Sequence, residues 1–207
     1  MDFKVNWFGF FGSISLFVLV IVSLFVPWWQ LSVGDDLVVA NASPLNTNFN
    51  FIGDSFTIPL IMALNIASVI SLTASGVVMF IYSVKPLKSY SSKLLGFAYR
   101  KPLYSVILFL VGLIVSIIVA GLLFGFDIPL LGSKLSTLPS DMTQGVTVNV
   151  SMNAGFQWPF ILALVGVGLC IAARFYHKKI VPNASTSTAL KSPRIVAPIS
   201  STGFEEF

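Results

Sequence analysis

Charge is scarce in this chain: Asp, Glu, Lys and Arg make up 10% of its 207 residues, against about 25% in an ordinary soluble domain. With 56% hydrophobic residues and a mean hydropathy of +0.90, the composition excludes a typical water-soluble fold. Cysteine and histidine are nearly absent. The lone Cys170 excludes an intrachain disulfide, and the lone His177, beside Lys178 and Lys179, supplies no metal-ligand cluster. No nucleophile, base and orienting group fall into a recognisable set, so the sequence points away from an enzyme and calls for no cofactor.

Four long runs lack Asp, Glu, Lys, Arg and His altogether: residues 8–27, 58–84, 103–126 and 155–173. At about 1.5 Å per residue each approaches or exceeds the roughly 30 Å of a bilayer core. Pro59, Pro102 and Pro159 fall near the predicted first turns, where a missing N–H costs little, and Pro27 follows a last turn. The basic residues are sorted. Lys85, Lys88, Lys93, Arg100 and Lys101 separate the second and third runs, and Arg174, Lys178, Lys179, Lys191 and Arg194 follow the fourth. The connections after the first and third runs hold Asp35, Asp36, Asp54, Asp127 and Asp141 against Lys134 alone. By the positive-inside rule both termini are cytoplasmic and residues 28–57 and 127–154 are outer loops. The net charge of +4 is thus a topology signal, and no nucleic-acid partner is expected.

These observations predict an all-α integral membrane four-helix bundle over residues 1–176, placed in the plasma membrane, with a disordered cytoplasmic tail over 177–207. Trp7 at the inner interface and Trp28, Trp29 and Trp158 at the outer one are read as anchors. Small residues at steps of four mark helix-packing seams: Ala63, Ala67, Ser71 and Ser75; Gly112, Ser116 and Ala120; Gly121 with Gly125; Gly168 with Ala172. A face for self-association is the alternative use of the same ridges. Asn65, the one strongly polar residue deep in a run, is expected to make an interhelical hydrogen bond. The segment FTIPLIMAL at 56–64 aligns with FQWPFILAL at 156–164, a match open to either duplication or convergence.

The loops read as strands. WWQLSV and LVVA flank a turn at Gly34, Asp35 and Asp36, NFNFIG alternates, and GVTVNVSMNAGF places Val146, Val148, Val150 and Met152 on one face. A small antiparallel β-sheet built from both outer loops is the expectation. Asn41 and Asn149 open glycosylation sequons on the outer side, and Asn183 opens one inside. Four spans, both ends inside, and a longer strand-rich first loop with a shorter second one resemble the claudin-like tetraspan membrane proteins. The Gly-Leu-Trp and paired-cysteine motif of that family is absent, although Trp28 or Trp29 could stand for its tryptophan. The resemblance implies a loop sheet and contact-making. The function expected is therefore that of a non-enzymatic membrane protein binding partners through its outer loops, in adhesion, envelope or assembly. An accessory subunit of a larger membrane complex is the alternative, and a channel or transporter component comes third. The expected partners are the lipid bilayer and other membrane or cell-surface proteins, a second copy of the chain included.

Overall fold

The computed structural model describes residues 5–51, 54–87, 90–124, 127–137 and 149–180. They form helices α1 (Trp7–Ser23), α2 (Pro59–Val84), α3 (Ser91–Phe124) and α4 (Trp158–Ile180) and strands β1 (Trp29–Val33), β2 (Val38–Ala42), β3 (Asn48–Phe51), β4 (Asp54–Phe56), β5 (Gly132–Thr137) and β6 (Asn149–Phe156). Helices α2, α3 and α4 are each long and apolar enough to cross a membrane. The first four residues of the predicted disordered tail, 177–180, instead belong to α4, and the rest, from 181 onward, lies outside the described residues.

Local chemistry sets the helix ends, and several differ from expectation, α4 among them: it starts at Trp158, after β6, and runs on to Ile180, seven residues past the expected 173. Asn6 caps α1, its Oδ1 accepting from the Gly9 amide at 3.2 Å. The helix stops at Ser23, so its 17 residues make only about 25 Å. The apolar run continues to Pro27, but proline biases the residue before it away from helical geometry. The correction is larger at α3, which begins at Ser91, twelve residues before the expected 103. Its first three turns carry Lys93, Arg100 and Lys101 outward while Leu95 and Ala98 are buried. Pro102 therefore sits buried inside the helix rather than in a first turn.

Helix α1 packs between α2 and α4, and α3 closes against the same two neighbours. Close approach comes from small residues. A Cβ on Gly9 would collide with Ser83 Oγ, and one on Gly12 would lie 3.2 Å from Cys170 Sγ and 3.4 Å from its backbone nitrogen. Leu16, Leu19, Leu72, Met79, Ala163 and Cys170 fill the core between them.

The strands form one antiparallel sheet in the order β4-β3-β2-β1-β6-β5. Residues 34–37 make the β1–β2 turn, with Gly34, Asp35 and Asp36 all at positive φ (63°, 51° and 69°), a conformation Gly, Asp and Asn tolerate best. The decisive pairing is β1 with β6, which sets Trp29 opposite Phe156 and Leu31 opposite Ala154. It ties the connection after α1 to the one before α4. One face of the sheet is apolar: Trp29, Leu31, Met152 and Ala154 pack onto Leu113, with Phe109, Ile117 and Ile128 alongside.

Candidate functional site

Three features gather the polar and accessible chemistry of the chain. The first is the sheet face turned away from the helices. Strand alternation places Gln30, Ser32, Asn41, Asn48, Ser133, Ser151 and Asn153 on it, a surface rich in amides and hydroxyls. Asn41 Nδ2 donates to Asn48 Oδ1 at 2.9 Å, while Asn41 Oδ1 is buried without a partner. At one corner Ser32, Asp35, Asp36, Ser151 and Asn153 surround a hollow of about 300 Å³. There Ser32 Oγ donates to Asp36 Oδ1 at 2.5 Å, which makes the paired carboxylates part of the turn. Among the described residues no three His, Cys, Asp or Glu side chains converge as metal ligands. At the β5 edge Lys134 Nζ meets Asp127 Oδ2 at 2.7 Å, and its hydrogen bond and charge hold the Asp127 carboxyl below the usual carboxylate range. Both partners are exposed, so the pair steadies the entry to β5 and adds little to stability.

The second feature is a cleft of about 550 Å³ between α2 and α3 beneath β1, β2 and β3. The two helices meet where Ser75 Oγ donates to the Ala98 carbonyl at 2.6 Å. From there toward the sheet they separate: every fully buried residue of α2 lies between Leu72 and Ser83. Ile61, Leu64, Asn65 and Ser68 form one wall, and Ser105, Phe109, Gly112, Ser116 and Ala120 form the other. Leu64 and Leu108 stand exposed at its mouth.

The third feature is a buried polar clip at the opposite end of the helices. Asn6 is fully buried, and its Nδ2 donates to Tyr82 Oη at 2.7 Å and to the Ala173 carbonyl at 3.0 Å. Its backbone N–H reaches the Ser83 carbonyl at 3.0 Å. One asparagine thereby joins α1, α2 and α4. Nearby, the Arg174 guanidinium lies 4.6 Å from the centre of the Tyr99 ring, linking α4 to α3.

The residues singled out by sequence are redistributed. Trp7 and Trp158 are exposed at helix starts, as anchors would be, whereas Trp28 and Trp29 are interior. Trp28, at 0% exposure, gives its Nε1–H to Ser23 Oγ at 2.8 Å and packs edge-on to Phe109. Trp29 gives its own to the Leu130 carbonyl at 2.8 Å. Both are core residues of the sheet–helix junction because the sheet folds its apolar face down upon them. Of the predicted seams, Ser75 alone is fully buried in a helix contact; Ser71 and Ala172 are half-buried. Ala63, Ala67, Gly112, Ser116 and Gly168 are exposed, and a Cβ on Gly112 or Gly168 would meet nothing within 4 Å. Gly112, Ser116 and Ala120 line the cleft instead of a seam. Gly121 is half-buried, and Gly125 lies outside the described residues, as do Val146 and Val148. Asn65 faces the cleft, and its amide has no hydrogen-bond partner among the described residues. Of the two sequons on the sheet, Asn149 is exposed, whereas Asn41 is half-buried with its Nδ2 engaged.

Sequence reasoning missed Asn6, Gly9 and Gly12. The signal for the first was present: an Asn placed just ahead of a long apolar run is a helix-capping position. The chain matches no protein-family model and no curated protein.

Proposed function

We propose that the chain is an integral plasma-membrane protein, a four-helix bundle with both termini cytoplasmic. On this reading the sheet stands outside as a rigid platform for non-enzymatic contact with other membrane or cell-surface proteins. The observation that carries the reading is the β1–β6 pairing, which welds two connections more than a hundred residues apart into one six-stranded surface. Loops that merely link helices need no such construction. The face turned away from the helices offers amides and hydroxyls with little charge to desolvate. The terminal strand β5 offers a backbone edge with Leu135 75% exposed beside it. On this reading the sheet is what the chain would share with claudin-like proteins, held here by strand pairing and packing without a disulfide.

A second reading, an accessory subunit that docks through its helices, rests on Ala63, Ala67 and Gly168, small residues that face outward. Site-specific photocrosslinking in intact cells separates the two. A crosslinking residue at Leu135 should capture discrete protein partners, or a second copy of the chain, while one at Ile161 on the exposed flank of α4 should not. Capture from Ile161 alone would replace the first reading with the second.

A further inference from the structure

Within α3 residues 102–124 run uncharged for roughly 34 Å at the α-helical rise, and within α4 residues 158–173 do so for roughly 24 Å. Beyond those runs, on the side remote from the sheet, stand Lys101 and Arg100 on α3 and Arg174 on α4. The two arginines meet at one ring. The Arg174 guanidinium lies 4.6 Å from the centre of Tyr99, and that of Arg100 lies 5.9 Å from it, with Nε–H donating to Tyr99 Oη at 3.2 Å. Tyr99 is half-buried and packs onto the helix core, so the ring is a fixed platform. The charges gathered there are not neutralised. Among the described residues every acid, Asp35, Asp36, Asp54 and Asp127, belongs to the sheet end, and the one ion pair joins Lys134 to Asp127. None of the Arg174 N–H donors meets an acceptor in the described part of the chain. Two guanidiniums brought together without a carboxylate repel each other, and their unspent forks suit an anion with several acceptor oxygens, phosphate above all. A hydrogen bond fixes the level of this pair. Asn6 Nδ2 donates to the carbonyl of Ala173, the neighbour of Arg174, so the start of α1 with its exposed Trp7 lies at the same height. An exposed tryptophan beside the first charges of two apolar helices marks the headgroup layer of a bilayer.

We infer that Arg100 and Arg174, on the Tyr99 platform, clamp the phosphate of one anionic lipid of the cytoplasmic leaflet. Arginine forks meet phosphate oxygens in pairs, and basic pockets between transmembrane helices on that side hold anionic head groups. Arg174, half-buried, is the fixed jaw, and Arg100, exposed, completes the clamp from α3. The uncharged run of α3 leads from Arg100 toward the sheet end, so a lipid held by its phosphate here has its chains directed into the bilayer. The inference rests on the membrane placement proposed above. It goes beyond it by giving one class of lipid a fixed seat where α3 and α4 meet.

The test is native mass spectrometry of the full chain released from nanodiscs of phosphatidylcholine and phosphatidylglycerol in equal parts. The wild-type protein should keep one phosphatidylglycerol per chain. The double change Arg100→Gln with Arg174→Gln should lower that occupancy at least tenfold. Lys178→Gln with Lys179→Gln, which removes the same charge from exposed positions at the same end, should change it less than about twofold. Arg174→Lys, which keeps the charge without the fork, should lower it several-fold. Unfolding midpoints in detergent identify any variant that misfolds, and Arg100→Gln alone, at an exposed site, then carries the comparison. Equal retention by the wild type and the double arginine variant overturns the inference. Equal loss from the lysine variant also overturns it, since net charge alone would then hold the lipid, and displacement by millimolar inorganic phosphate would assign the clamp to a soluble anion instead. Failure of the chain to enter the nanodisc at all would overturn the placement and the inference together.

Discussion

A single asparagine closes the helix end remote from the sheet. Asn6 uses both amide hydrogens and its carbonyl oxygen in the buried interior, so truncation strands Tyr82 Oη, the Ala173 carbonyl and the Gly9 amide together. Asn6→Ala should cost about 2–4 kcal/mol, a capping loss added to buried groups left unpaired. Thermal unfolding in detergent would show it as a lowered midpoint, and a midpoint equal to wild type would remove the clip from the account. The tryptophans show what residue identity alone conceals. Trp28 and Trp29 sit where an apolar run ends, and sequence could not distinguish an interfacial ring from one covered by a sheet assembled from residues over a hundred positions away.

At the scale of elements, α2 was legible to within a residue and the Gly34–Asp36 turn was legible outright, because a proline start and a run of turn formers act locally. Helix α3 was misjudged because its basic first turns look like a loop when the partner burying Leu95 and Ala98 is unknown. Strand β5, with the sequence GSKLST, has little intrinsic strand preference and exists through its register with β6. The packing seams were hardest to read. In a soluble helix polarity marks the outward face, but helices apolar all round carry no such mark, so inward and outward glycines look alike. Gly12→Leu should therefore push α1 off α4 and cost about 1–3 kcal/mol by overpacking. Gly168→Leu, facing open space, should stay within about 0.5 kcal/mol of wild type. Equal losses in paired unfolding measurements would refute the assignment of the α1–α4 contact as the tight one.

For the whole molecule, the long helices followed from the uncharged apolar runs, and the segregation of charge bears on their orientation. All the described basic residues but Lys134, namely Lys85, Lys93, Arg100, Lys101, Arg174, Lys178 and Lys179, belong to the helix ends remote from the sheet, and Asp35, Asp36, Asp54 and Asp127 belong with Lys134 to the sheet end. If that polarity reports orientation, Ser133→Cys should react with an impermeant maleimide on intact cells and Ser92→Cys only after lysis, since both side chains are exposed. Cys170, fully buried, contributes no background. Labelling of Ser92→Cys in sealed cells would reverse the topology. The central β1–β6 pairing also bears on biosynthesis. Synthesis runs from the N-terminus, so β1 leaves the ribosome more than a hundred residues ahead of β6 and keeps an open edge until the last strand arrives. A nascent chain halted before β6 displays an unpaired strand with an apolar face, whereas a finished one hides both. The last strand to be made is thus also the one whose arrival distinguishes a complete chain from an abandoned one, in a form that chaperones and proteases at the membrane can read.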